Sequence, residues 1–383
     1  MRVLVLSCST GGGHNVAARA IAEEFAARGI SCELDDSLAF ARPGAQGWVQ
    51  KTYDEMVVEH PVAWSRFFRI GEFISAARPK SVIYRANATY AEALGTYIAD
   101  NAIDTVVVTH PFPGQALTPL VEEGRPLRTF AVATDYLCLP FWEECTLDRY
   151  IVPHPDVIPA FMKRGCPPEK LEALGLPILA KFRTPTVSPQ IARRMLNGKA
   201  DEDDALSEND ALPENGALFL VLTGSMGFGD VVPLPGLLLK EAPHAHVVIV
   251  TGHNEELRAQ LKETYGNAEQ VTVLGYTADT PLLLDAADVV LSKPGGLTST
   301  EVAARHRPLV HTPAIPGFES GNADFFAAHG WSARADSYEE AARTAARLLE
   351  NSEARARMQA AQAHGIDALA AMRICGLIAQ ETA

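Results

Sequence analysis

Short apolar runs rich in Val, Ile and Leu, each leading through a turn into a helix-like stretch, set the layout of the chain. The first, residues 2–7, passes through Thr10-Gly11-Gly12-Gly13-His14 into a helical stretch at 16–28. Similar runs recur at 105–109 and 129–134. After a gap the grammar restarts at 218–223, 247–251, 271–274, 289–291 and 309–311, again alternating with helical segments. A strand apolar along its whole length has both faces covered, as in parallel sheets flanked by helices. The pattern predicts an α/β fold of two doubly wound domains, residues 1–182 and 217–365. A linker at 183–216 joins them, and a C-terminal helix at 366–383 is free to pack on either. Within the linker, residues 199–216 hold seven acidic side chains (Asp201 to Glu214) against one lysine and read as a solvated surface excursion.

Composition narrows the function classes. With 383 residues, 47% hydrophobic and 21% charged, the chain is able to bury two sizeable cores and is not a disordered polymer. A net charge of −14 argues against broad nucleic-acid binding. The six cysteines contain no C-x-x-C pair, so neither a zinc knuckle nor a disulfide framework is indicated, and reduced thiols in a cytoplasmic protein are expected. No apolar run approaches the ~18–20 residues of a membrane-spanning helix. The opening run is too short for a signal peptide, and Val5-Leu6-Ser7-Cys8 lacks the apolar region that precedes a lipoprotein cleavage site.

Open α/β sheets bind ligands beyond the carboxyl ends of their strands, so the loops after the apolar runs are the places to search. The glycines of Gly11-Gly12-Gly13-His14 let backbone N–H groups approach an anion or polar headgroup. The spacing is neither a dinucleotide fingerprint nor a phosphate-binding loop followed by Lys-Ser/Thr. His14 at a helix start is disfavoured as imidazolium and suits a general base; the plainer reading is a tight turn with an exposed histidine. After the next run, His110 and Pro111 either line a cleft or form a self-satisfied loop. Asp135, ending the third run, has three roles open to it: orienting His14, binding an acceptor hydroxyl or capping a turn. In the second domain, Gly224-Ser225-Met226-Gly227 offers backbone donors suited to a diphosphate. Lys293-Pro294-Gly295-Gly296-Leu297-Thr298 delivers the chain to a helix bearing Glu301, whose two oxygens are able to chelate a ribose diol. The next loop carries Phe318, Glu319 and Asn322, with Glu319 suited to sugar hydroxyls. Two glycine loops and two glutamates in one domain point to a nucleotide-sugar.

Taken together, Ser-Thr-Gly-Gly-Gly-His at 9–14, Lys-Pro-Gly-Gly-Leu-Thr with Glu301, and Pro-Gly-x-Glu-x-x-Asn-Ala at 316–323 resemble glycosyltransferase family 28. The similarity is to its monogalactosyldiacylglycerol synthase and processive diacylglycerol glucosyltransferase branch, and it runs from about residue 3 to about 334. The resemblance implies a GT-B fold, two Rossmann-like domains facing across a cleft. It also implies inverting, metal-independent transfer of a hexose from a UDP-sugar (UDP-glucose or UDP-galactose) to a diacylglycerol-type lipid, with no further cofactor. Carried over by position, His14 is the catalytic base with Asp135 beside it. Glu301 holds the ribose and Glu319 the donor sugar, with Phe318 and Asn322 in the same loop. Gly224 to Gly227 and Gly295 to Thr298 surround the diphosphate, Lys293 and Pro294 are donor-binding, and Gly275 and Tyr276 lie against the uracil. Gly12, Gly13, His110 and Pro111 fall on the acceptor side. Two departures stand out: Phe318 replaces a glutamine common in the family, and Leu139-Pro140-Phe141 replaces a histidine-containing segment. The other activities weighed are transfer to a different lipid, nucleotide-sugar epimerisation on the same scaffold, and non-catalytic sensing of UDP-sugar.

Despite the acidic total, residues 61–90 carry Arg66, Arg69, Arg78, Lys80 and Arg85 against Glu72 alone, interleaved with Trp64, Phe67, Phe68, Phe73 and Tyr84. Each basic group near an anionic leaflet contributes roughly 1 kcal/mol, and aromatics settle at the interface. Screening limits the opposing acidic charge to about a Debye length. With a lipid acceptor implied, peripheral attachment to the inner face of the cell membrane is the expectation.

Overall fold

The computed structural model describes residues 1–8, 12–41, 80–184, 186–198, 211–224, 230–314 and 318–382, Phe318 in its backbone only. The chain divides into two compact units. Met1–Ala180 and Asp367–Ala383 belong to the first; Lys181–Ala314 and Glu319–Ile366 belong to the second.

The first unit is built on β1 (Arg2–Ser7), β2 (Ser31–Asp36), β3 (Thr105–Val108), β4 (Arg128–Val132), β5 (Arg149–Val152) and β6 (Leu171–Ala173), all parallel, in the order β2-β1-β3-β4-β5-β6. The apolar runs become its central strands. Val3, Val5, Val107, Phe130 and Ile151 pack against Ile21 and Phe25 of the helix Gly12–Ala27 and against Ile374 and Ile378 of the helix Ala370–Glu381. Continuous hydrophobicity thus reports burial on both faces.

The second unit repeats the plan with β7 (Leu218–Leu222), β8 (His246–Val250), β9 (Val271–Leu274), β10 (Val289–Ser292), β11 (Leu309–His311) and β12 (Ala333–Arg334) in the order β12-β11-β10-β7-β8-β9. In each sheet the order reverses once, between β1 and β3 in the first and between β7 and β10 in the second. These are the positions where an open parallel sheet leaves a crevice at its carboxyl edge.

Residues 183–216 differ from the expected linker. The helix Pro189–Asn197, capped by Ser188, lies within them and belongs to the second unit. Its Arg193 is 1% exposed and donates to the Ala286 and Gly216 carbonyls and the Asp288 carboxylate. A buried guanidinium with this many acceptors makes the stretch part of a core. The acidic residues 199–210 lie outside the described residues.

The basic aromatic segment is described only from Lys80 onward, so Trp64, Phe67, Phe68, Arg66, Arg69 and Arg78 lie outside the described residues. Two members of the expected membrane face are otherwise engaged. Lys80 pairs with Glu122 at 2.9 Å and bonds the Tyr84 hydroxyl, so its ammonium already has a counter-charge. Tyr84 is buried and serves the core. Arg85 remains exposed.

Candidate active site

The first unit gathers its chemistry around the β1/β3 reversal. His14 lies in the first turn of the helix that follows β1, after Gly12 and Gly13. Its Nδ1 is 2.9 Å from the Thr109 carbonyl oxygen and 2.7 Å from the Thr134 hydroxyl. A carbonyl only accepts, so the bond to Thr109 assigns the proton to Nδ1 and leaves the Nε2 lone pair free. The Thr109 hydroxyl in turn donates to the His14 carbonyl at 3.1 Å, tying the β1 helix to the end of β3. Desolvation lowers the His14 pKa below the usual histidine value, opposed by the Asp135 carboxylate and the Thr109 bond. The ring is therefore neutral near pH 7 and receptive to a proton.

Of the two readings of His110, the self-satisfied one describes its Nδ1. It caps the helix Pro111–Glu122, with Pro111 at the first helical position, and Nδ1 accepts from the Phe112 N–H at 3.2 Å. The ring also meets His14 edge-on, centroids 4.7 Å apart. Burial, then the neighbouring His14, holds the His110 pKa well below the usual value, so this cap stays neutral beside the candidate base. Asp135 is buried in the loop after β4 and acts on His14 through its charge.

In the second unit the candidate residues collect at the β7/β10 reversal. Gly224 lies in the turn after β7 with φ at +80°, and a Cβ there would lie 2.8 Å from Lys293 Cε, so the turn and the lysine stem are in close contact. The Lys293 ammonium donates to Glu319 at 2.8 Å, with Glu319 1% exposed. One Glu319 oxygen is thus engaged by a cation. Gly295 caps the helix Gly296–Ala304 without a side-chain bond, so the first-turn amides of Gly296, Leu297 and Thr298 receive no side-chain cap. Glu301 and Asn322 are buried, on this helix and on Phe318–Ala328. After β9, Gly275 packs on the Arg258 guanidinium. Tyr276, 47% exposed, stacks on His253 with centroids 4.5 Å apart and planes 12° from parallel. Ser225, Met226, Gly227 and the Phe318 side chain lie outside the described residues.

Three participants were not singled out from the sequence. The Thr109 carbonyl and the Thr134 hydroxyl lie just beyond β3 and β4, where the apolar runs had already marked strand ends. His253 lies in the loop after β8, the one such loop of the second unit's central strands not inspected for ligands.

Residues 14–178 match the monogalactosyldiacylglycerol (MGDG) synthase family, and residues 234–364 match the glycosyl transferases group 1 family. Between them the two matches take in His14, His110 and Asp135 on one side and Lys293, Glu301 and Glu319 on the other. The processive diacylglycerol beta-glucosyltransferase of Staphylococcus aureus strain Newman is 30% identical over 251 residues, 65% of this chain and 60% of that protein. Over residues 14–178 the chain is similar to the monogalactosyldiacylglycerol synthase family. The enzyme of the same description from Staphylococcus saprophyticus is 28% identical over 64% of this chain and 59% of its own length. The chain therefore spans about three fifths of the length of the curated relatives it matches. Acinetobacter baumannii MurG superposes with a TM-score of 0.59 at 14% identity, covering 99% of each chain. A UDP-GlcNAc 2-epimerase from Neisseria meningitidis bound to UDP-GlcNAc superposes at 0.62 and 12%, covering 99% of this chain and 100% of its own. At such identities these neighbours speak for the fold alone, and it is the GT-B fold of two α/β units.

Proposed function

We propose that the protein transfers a hexose from a UDP-sugar to the hydroxyl of a diacylglycerol-type lipid at a membrane surface, with inversion and without a metal. The observation that carries this reading is the tautomer imposed on His14, whose Nδ1 is bound to the Thr109 carbonyl. In the proposed reaction Nε2 takes the acceptor hydroxyl proton as the oxygen attacks the anomeric carbon. The bond from that carbon to the diphosphate breaks, and UDP leaves with the electron pair. Asp135 stabilises the imidazolium that forms. In the second unit, Glu301 receives the ribose hydroxyls, and Glu319 and Asn322 receive those of the hexose. The first-turn amides of Gly296, Leu297 and Thr298, with the Lys293 ammonium, offset the charge growing on the diphosphate, work a divalent ion does in other transferases. Tyr276, braced by His253, supplies a flat apolar face for the base.

The relatives' names specify glucosyl transfer to diacylglycerol, so UDP-glucose is the proposed donor. Among the described residues no helix is long and apolar enough to cross a membrane, and the proposed attachment is peripheral, on the inner face of the cell membrane. Purified protein given radiolabelled UDP-glucose and diacylglycerol in anionic vesicles should produce a labelled glycolipid, with EDTA present and with none formed in lipid-free buffer. His14→Ala should cut turnover by roughly 10²–10⁴-fold while leaving UDP affinity nearly intact. Product formation that survives His14→Ala, or isomerised UDP-sugar without lipid, would refute the assignment.

A further inference from the structure

His311 is a buried histidine that the proposed chemistry does not use. It is the last residue of β11, fully buried, in register with Ser292 of β10 and Arg334 of β12. Both ring nitrogens are engaged. Nε2 is 2.9 Å from the Ser299 hydroxyl, and Nδ1 is 3.1 Å from the Ser332 hydroxyl. Ser299 belongs to the helix Gly296–Ala304, which carries Glu301 and the first-turn amides. On its other side the ring tilts against Phe326, centroids 5.5 Å apart, on the helix Phe318–Ala328 that carries Glu319 and Asn322. Ser332 stands directly before β12, beyond the turn that ends that second helix at Ala328. Burial drives the His311 pKa down to about 3, so the ring is neutral wherever the protein works. A neutral imidazole has one donor and one acceptor, and a serine hydroxyl turns to complement either. The ring therefore ties the end of β11 to one donor helix by the Ser299 hydrogen bond and to the other by packing on Phe326, while the Ser332 bond anchors it to the start of β12.

We infer that His311 is a positioning residue that sets the spacing between the ribose-binding and hexose-binding helices of the donor site. The inference rests on the donor reading given above. Its consequence differs by ligand. UDP engages the Glu301 helix and not the Glu319 helix, whereas UDP-glucose must satisfy both at once. Loosening the strut penalises only the ligand that spans the two helices.

Calorimetry with UDP and with UDP-glucose on the full chain tests this. His311→Phe keeps an aromatic ring and removes both hydrogen bonds, leaving two buried serines without their partner. UDP should bind within about twofold of wild type, while UDP-glucose affinity should fall by about tenfold. His311→Gln, whose amide supplies an NH2 donor group and a carbonyl acceptor, should restore most of the loss. Ser299→Ala, a milder truncation suited to a case in which His311→Phe does not fold, should weaken UDP-glucose and spare UDP in the same sense. Equal weakening of both ligands, or of neither, in the folded variants overturns the strut. A wild-type chain that binds neither ligand overturns the donor reading itself, and the two failures are thereby told apart.

Discussion

The two nitrogens of His14 face different surroundings, and the difference determines what the ring does. Nδ1 meets a carbonyl that only accepts, so the basic lone pair belongs to Nε2. Desolvation, the largest influence, lowers the pKa from the ordinary 6.5, and Asp135 pulls in the opposite direction. A base with a lowered pKa stays deprotonated to lower pH, so the acid limb of kcat/KM for transfer should fall below pH 6.5. In Asp135→Asn the raising influence is gone. The limb should move to still lower pH while kcat drops, because the imidazolium formed in the transition state loses its counter-charge. A pH–rate profile checks both; a limb that moved upward would remove Asp135 from the neighbourhood of the base. His14, Glu301 and Glu319 were legible in the sequence because each follows glycines between an apolar run and a helix. The Thr109 carbonyl was not, since a backbone acceptor has no residue signature and its meeting with His14 depends on the pairing of β1 with β3 across a long separation.

At the scale of elements, the central strands were legible and the edges were not. Residues 2–7, 271–274 and 309–311 form strands over the expected bounds, and the other apolar runs shift by one or two residues. β2, Ser-Cys-Glu-Leu-Asp-Asp, has no apolar run to reveal it, because an edge strand needs cover on few positions. Its polar side chains have partners instead, Glu33 bonding both Arg2 and the Tyr97 hydroxyl. β5, β6 and β12 were not marked either, because each contains a charged residue, Arg149, Glu172 and Arg334, that shortens its apolar run. The Gly224 turn after β7 was marked by its glycines, and its geometry makes a prediction. Alanine there would combine a positive φ, costing roughly 1–2 kcal/mol, with a Cβ pressed on the Lys293 stem. Gly224→Ala should lower the melting temperature and raise the KM for UDP-sugar by displacing the lysine from Glu319. In a Lys293→Ala background the same substitution should have a smaller effect on KM, since the obstructed side chain is absent. Additive losses in that double-mutant comparison would show that the clash is not the cause.

For the whole molecule, the order in which the chain builds its units leads to a test. It completes most of the first unit by Ala180, builds the second, and returns at Asp367 to supply the first unit's last helix. The sequence left the partner of this tail open, since an amphipathic helix matches any apolar face. In the structure Ile374, Cys375 and Ile378 are fully buried among β1, β3 and the helix Gly12–Ala27. At the helix surface, Arg28 bonds the Met372 carbonyl and Arg149 pairs with Glu381. Burying each isoleucine is worth roughly 1.5–3 kcal/mol, so the pair alone contributes a large part of the ~5–15 kcal/mol by which a domain is stable. Deleting residues 370–383 should therefore unfold or loosen the first unit while the second, which keeps its whole core, persists. Segment-resolved hydrogen exchange should show protection lost across β1, β3 and β4 and retained across β7, β8 and β10. Calorimetry on the truncated chain should still detect UDP, while glycolipid synthesis disappears with the ordered His14 site. If β1 kept its protection after truncation, the tail would be an accessory to the first unit's core and its return across the chain would have no energetic weight.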